Sequence, residues 1–126
     1  MDLTERAIGD VTVLTLVGRL VLGDGEELFK SCVDTLVRQG RKYLVLNMKG
    51  VTSLDSCGVG VLAWKFVTLR KQGGTIKFAA LSPHTQNPLR ITRLLEVFEV
   101  FDTEEEAVLS FGSERAKAGR FTIPRG

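Results

Sequence analysis

Tyr43-Leu44-Val45-Leu46-Asn47 is a short, nearly continuous apolar run that stands between two segments of helical period. A strand that is apolar on successive residues is buried on both faces, which is the situation of a parallel strand in a sheet covered by helices. The segment before it, Glu26 to Gln39, carries Leu28, Phe29, Cys32, Val33, Leu36 and Val37 as one broad apolar stripe, with Gly40 as its expected stop. The segment after it opens at Ser56 and ends at Gly73-Gly74, and Thr75 to Leu81 then gives a further strand, broken by Ser82-Pro83. Strands alternating with helices dictate an α/β sheet with helices packed on it.

The flanks fit this frame. Leu3 to Ile8 and Val11 to Val17 enclose Gly9-Asp10, a two-residue turn of hairpin type, and Gly18 is expected to end the second strand. Gly23-Asp24-Gly25 makes a turn. Asn87-Pro88 is expected to open a short helix with proline at its first position. Phe98 to Phe101 reads as a last short strand, and Thr103-Glu104-Glu105-Glu106 as a capping box that starts a final helix. From Gly112 the sequence GSERAKAGRFTIPRG loses periodicity and reads as a flexible tail. The expected architecture is one α/β domain over residues 1–111 with a tail over 112–126. Its mixed sheet has about five strands, including an N-terminal hairpin, and four to five helices.

Several function classes drop out. A chain of 126 residues is long enough for one real core and short for two. A net charge of +2 gives no argument for nucleic acid or an anionic membrane as partner. The tail cations Arg115, Lys117, Arg120 and Arg125 read as a solvated end. No stretch approaches the roughly 20 apolar residues of a membrane span, and MDLTERAIGD does not read as a signal peptide, so a cytoplasmic location is expected. Cys32 and Cys57 lack CxxC spacing, and the lone His84 rules out a multi-histidine metal site. No metal or cofactor is expected. Ser56 has no Gly-x-Ser-x-Gly elbow, His84 lies in a Pro-flanked loop, and no Gly-Lys-Ser/Thr follows Gly18 or Gly23-Asp24-Gly25. The chain is not expected to be an enzyme.

What remains is the run Asp55-Ser56-Cys57-Gly58-Val59-Gly60-Val61-Leu62. It places a serine hydroxyl at a helix N-terminus, where unpaired N–H groups and the macrodipole favour negative charge. Ser56 is therefore either a plain helix cap or a phosphoryl acceptor. At 100° per residue, Val59, Leu62, Ala63, Phe66 and Leu69 share a core face. Cys57, Val61, Trp64 and Thr68 gather near the opposite side, as a Trp-centred patch suited to partner docking or to packing against a neighbouring helix or loop. Cys57 serves there as a small apolar filler. Gly58 and Gly60 each cost about 0.5–1 kcal/mol in a first turn relative to alanine. They clear side chains from beside Ser56 and let another backbone approach.

These residues resemble a known family. Leu46-Asn47 through Leu54-Asp55-Ser56-Cys57-Gly58-Val59-Gly60-Val61 is similar to the strand-then-D-S-[SAC]-G-[LV]-G signature of STAS domains, specifically the bacterial anti-sigma factor antagonists. Gly73-Gly74, Leu81-Ser82-Pro83 and Leu94-Leu95-Glu96-Val97-Phe98 fall at its later landmarks, and Gly18-Arg19-Leu20 at an earlier one. The resemblance covers residues 3–111. It implies a STAS-like fold and a binding protein rather than an enzyme. The implied partners are an anti-sigma factor with serine kinase activity, which binds the unmodified chain, and a phosphoserine phosphatase that restores it. Ser56 would be the phosphoacceptor, Asp55 its signature neighbour that orients the hydroxyl, and Gly58 and Gly60 the residues that admit the kinase. The same fold without phosphorylation at Ser56 would suit another signalling complex or a transporter. As an isolated chain, a monomer or weak homodimer is expected. Three positions depart from the family pattern. Val21 stands where many members have an acid, Thr92-Arg93-Leu94 replaces a small-Gly-Leu sequence, and Pro88 interrupts a helix that often starts earlier. A shortened or displaced third helix is expected from the last two.

Overall fold

A computed structural model describes residues 1–112; Gly112, where the tail was expected to begin, is still helical, and the rest of the expected tail lies outside the described residues. Five strands form one sheet in chain order: β1 (Asp2–Ile8), β2 (Val11–Leu20), β3 (Tyr43–Leu54), β4 (Thr75–Ala79) and β5 (Glu99–Phe101). β1 and β2 are an antiparallel hairpin, and every later neighbour pair is parallel. The connections contain α1 (Glu26–Arg38), α2 (Ser56–Lys71) and α3 (Pro83–Ile91) with a 3-10 turn at Leu94–Glu96. A last helix, α4, occupies 104–112.

A sheet that grows in one direction by right-handed crossovers receives all its crossover helices on one face. Phe29 of α1, Leu62 of α2 and Leu89 of α3 accordingly share one core with Leu14, Leu16, Leu44, Leu46, Ile76 and Phe78. The alternate residues Val11, Val13, Val45 and Ala79 face the other way and are covered by Ala107 and Phe111 of α4. This double cover is why the run is apolar on successive residues from Leu44 to Leu46. Lys77, only 2% exposed, also points to the α4 side. Its Nζ meets Ser110 Oγ at 2.8 Å and a Glu99 carboxylate oxygen at 3.5 Å, 4.4 Å from the centre of the Phe111 ring. The charge is thus paired and hydrogen-bonded, as a buried cation must be.

The ends of the elements follow local chemistry, with four corrections to the sequence reading. β2 does not end at Gly18 but passes through it to Leu20. Gly18 sits at φ +114° where the β2–β3 ladder is irregular, so the glycine bends the strand. β3 does not stop at Asn47 but continues to Leu54, because this extension of β2 gives it a partner and buries Met48, Val51 and Leu54. β4 ends at Ala79, two residues early, as Ala80 turns to φ +59°.

α3 opens at Pro83, not at Asn87-Pro88. Proline takes the first helical position there, and the Thr85 hydroxyl accepts the Ser82 N–H at 3.0 Å. The third helix is therefore not shortened at its start, and Pro88 lies inside it. The carbonyl that proline leaves without a donor is that of His84, four residues back, which is exposed to water. Arg93, in place of the resembling family's glycine, takes the left-handed conformation at φ +66°. The capping box of α4 is formed as expected: Glu106 N–H donates to Thr103 Oγ1 (3.2 Å) and Thr103 N–H to Glu106 Oε1 (3.3 Å).

Candidate functional site

α2 leaves the C-terminal end of β3 at Asp55, and that residue, not Ser56, is the helix cap. Asp55 is extended (φ −100°, ψ −175°), and its Oδ1 accepts the Gly58 N–H at 2.9 Å. Its other oxygen, Oδ2, accepts the N–H of Leu22, 33 residues earlier, at 3.0 Å. Both contacts favour the ionised form, so the Leu22 N–H first and the Gly58 N–H second hold this carboxyl below its ordinary range. Asp55 therefore does not orient the Ser56 hydroxyl. Its oxygens tie together the turn after β2 and the start of α2.

A carboxyl held low when folded keeps its charge on acidification longer than the same group in the unfolded chain. Its contribution to stability is whole above the unfolded pKa of about 3.9 and is lost as pH falls through the folded value. We expect Asp55→Asn to melt lower than the parent at pH 7 and the gap to narrow as acidification protonates the folded Asp55 carboxyl. Thermal melts of both proteins across this range check it; a gap independent of pH would contradict the assignment.

Relieved of capping, Ser56 occupies the first helical position and is exposed. No group among the described residues takes a hydrogen bond from its hydroxyl. Gly60 and Trp64 follow at i+4 and i+8 on the same exposed line, which runs on to Val67. Trp64 is 56% exposed, with Lys65 Nζ 4.4 Å and Lys30 Nζ 5.5 Å from its ring centre. Cys57 is half-buried.

Two residues of the expected docking patch are not on this surface. Val61 is 5% exposed and belongs to the core. One turn further on, Lys65 meets Asp34 of α1 at 2.7 Å, so this side of α2 is the seam with α1. Gly58 is buried too: a Cβ there would lie 2.1 Å from the carbonyl oxygen of Leu20 and 2.7 Å from Leu54 Cδ1. The close approach it permits is that of the chain's own β2, not of a partner.

The structure adds Leu22, which the sequence reading missed. Val21 is buried, and it closes a tight turn with Asp24 through two reciprocal backbone bonds of 2.9 Å. Leu22 at the tip is 68% exposed and, through Asp55, is held beside the start of α2. Only the adjoining Gly23-Asp24-Gly25 hinted at a turn here. The Lys65–Asp34 pair had a better signal, since Val61, Lys65 and Leu69 are spaced i, i+4, i+8.

Other chemistry has little footing. The Cys32 thiol is pushed up to about 11 by burial first and then by the neighbouring Glu5 carboxylate, which keeps it protonated and inert. Among the described residues no group of three or more His, Cys, Asp or Glu is placed to hold a metal ion. None of the described helices is long and apolar enough to cross a membrane.

The STAS domain family model matches residues 3–107. The chain is 21% identical over 98 residues to the anti-sigma F factor antagonist of Paenibacillus polymyxa, covering 78% of this chain and 84% of that protein. It is 25% identical over 111 residues to the putative anti-sigma factor antagonist BtrV of Bordetella bronchiseptica, covering 88% and 95%. Its fold matches the Bacillus cell fate determinant SpoIIAA in the phosphorylated form with a TM-score of 0.69 at 22% identity, covering 85% of this chain and 96% of that one.

Proposed function

Since the chain belongs to the STAS domain family, we propose that it is an anti-sigma factor antagonist switched by phosphorylation of Ser56. Unmodified, it binds an anti-sigma factor that is also a serine kinase, and so frees a sigma factor. The kinase then transfers the γ-phosphoryl group of ATP to Ser56 Oγ. The new Oγ–P bond replaces the bond to ADP, and the hydroxyl proton passes to a base of the kinase. The modified chain lets go, and a phosphatase hydrolyses the ester.

The observation that carries this reading is the freedom of Ser56. It stands exposed at the first position of α2, while the capping that serine often performs is done by Asp55. The exposed line through Gly60 and Trp64 gives a partner a surface to lie along. A cytoplasmic site of action follows from the proposed partners.

The test is intact mass with peptide mapping after incubation in native host lysate with Mg-ATP, beside Ser56→Ala. One phosphoryl group at Ser56, absent from the alanine variant, is expected. An unchanged mass in a lysate that phosphorylates a control protein would refute the switch. The chain would then belong with STAS modules of another signalling or transporter complex.

A further inference from the structure

Asp55 does more than a cap requires. One oxygen on the Gly58 N–H satisfies the helix start, yet the second holds the backbone of Leu22 at 3.0 Å. The same turn is pinned a second time, where the Leu20 carbonyl lies against Gly58, and it is closed internally by the Val21–Asp24 bonds. A backbone fixed at three points carries at its tip an apolar side chain that is 68% exposed. An isolated exposed leucine is ordinary. A leucine held out in water by an ionised carboxylate, next to a phosphoacceptor, is pre-organised for contact, since little freedom is lost when it is covered.

We infer that Asp55 is a positioning residue which sets Leu22 beside Ser56 as a specificity contact for the kinase partner. The partner surface that meets it is an apolar pocket next to the kinase's acceptor site. The neighbouring Val21 cannot serve, because its side chain is buried under the turn. This inference rests on the proposed phosphorylation of Ser56 and deepens it.

Asp55→Asn separates the two jobs of the carboxylate. Asparagine caps a helix as well as aspartate through its one carbonyl oxygen, but it presents an NH2 where the Leu22 N–H needs an acceptor. The experiment measures initial rates of Ser56 phosphorylation in native host lysate with Mg-ATP, at low concentrations of parent, Leu22→Ala, Asp55→Asn and the double variant. The Leu22 amide is followed in parallel by NMR. Each single change is expected to slow labelling about tenfold, the order of a lost buried leucine contact. The double variant should be slowed about tenfold in total rather than a hundredfold, because both changes remove one contact. The Leu22 amide resonance should move and lose exchange protection in Asp55→Asn while the helical amides of α2 keep theirs. Parent-like labelling of Leu22→Ala overturns the inference and leaves the switch standing. A hundredfold loss in the double variant, or an unmoved Leu22 amide, overturns the role given to Asp55. Unlabelled parent protein in a competent lysate defeats the phosphorylation reading and this inference with it.

Discussion

Phosphorylated at Ser56, the chain is expected to bind its anti-sigma kinase about a thousandfold more weakly while melting at the same temperature. The two halves of this result have different causes. In the free chain the phosphate stands in water at the positive end of α2, where a helix terminus accepts negative charge. Nothing packs over Ser56 to be displaced, so stability is untouched or slightly raised. In the complex the same dianion must shed water against the partner. It does so beside Asp55, which stays ionised because the Leu22 and Gly58 N–H groups hold its carboxyl low. Two adjacent anions then face one surface. A penalty of about 4 kcal/mol is modest for a desolvated and poorly paired charge, and it weakens a complex nearly a thousandfold. Titration calorimetry with the phosphorylated chain, paired with thermal melts, measures both halves. A melting point that falls by many degrees would mean that phosphorylation acts by disrupting α2. Equal affinity of the two forms would exclude a charge-based switch.

The fold was legible where a residue's environment is set by its neighbours in sequence. The 43–47 run announced a strand covered on both faces, and the α4 capping box formed as written. What could not be read depended on distant chain. Lys49, Gly50, Thr52 and Ser53 give no strand signal, and β3 crosses them because β2 continues alongside. Pro83 read as a strand breaker and Pro88 as the helix opener, but the opener is Pro83. Only the former follows the end of a strand, with Thr85 placed to take the Ser82 N–H.

The candidate site divided in the same way. That Ser56 stands at the head of a helix was visible from Asp55-Ser56-x-Gly, whereas the spacing left open whether Trp64 is exposed or packed on a neighbour, and the fold leaves it 56% exposed. The sharing of roles was not visible. Whether serine or aspartate caps the helix depends on which side chain reaches Gly58, and Asp55 wins because its other oxygen is fixed by Leu22. Counting 100° per residue set Val61 with Trp64, since no count shows that α1 lies along that flank with Asp34 facing Lys65.

Gly58 and Gly60 show most sharply what the tertiary structure decides, and alanine at each is expected to act in opposite directions. In sequence they are equivalent: two glycines in the first turns of one helix, each a liability relative to alanine. At Gly58 a methyl group would lie 2.1 Å from the Leu20 carbonyl oxygen, a backbone atom that moves only if β2 moves. Leu54 Cδ1, at 2.7 Å, blocks the other escape. Overpacking against a flexible side chain costs about 1–3 kcal/mol, and backbone contact belongs at or above the top of that range. Gly58→Ala is therefore expected to lower the melting temperature by about 10 °C or more. The shift of β2 would carry the Leu20–Leu22 segment away from Asp55, so labelling of Ser56 should fall as well. At Gly60 nothing lies within 4 Å of the same methyl group, and the position is exposed. Gly60→Ala should raise stability by about 0.5–1 kcal/mol through helix propensity alone. If it also slows Ser56 phosphorylation, the loss cannot come from a weakened fold, and the partner's path along Ser56, Gly60 and Trp64 is the remaining cause. Thermal melts and labelling rates of the two variants decide it. Equal destabilisation would show that the Leu20 contact yields more easily than its geometry implies, whereas a stabilised Gly60→Ala with parent-like labelling would leave the glycine without a role in recognition.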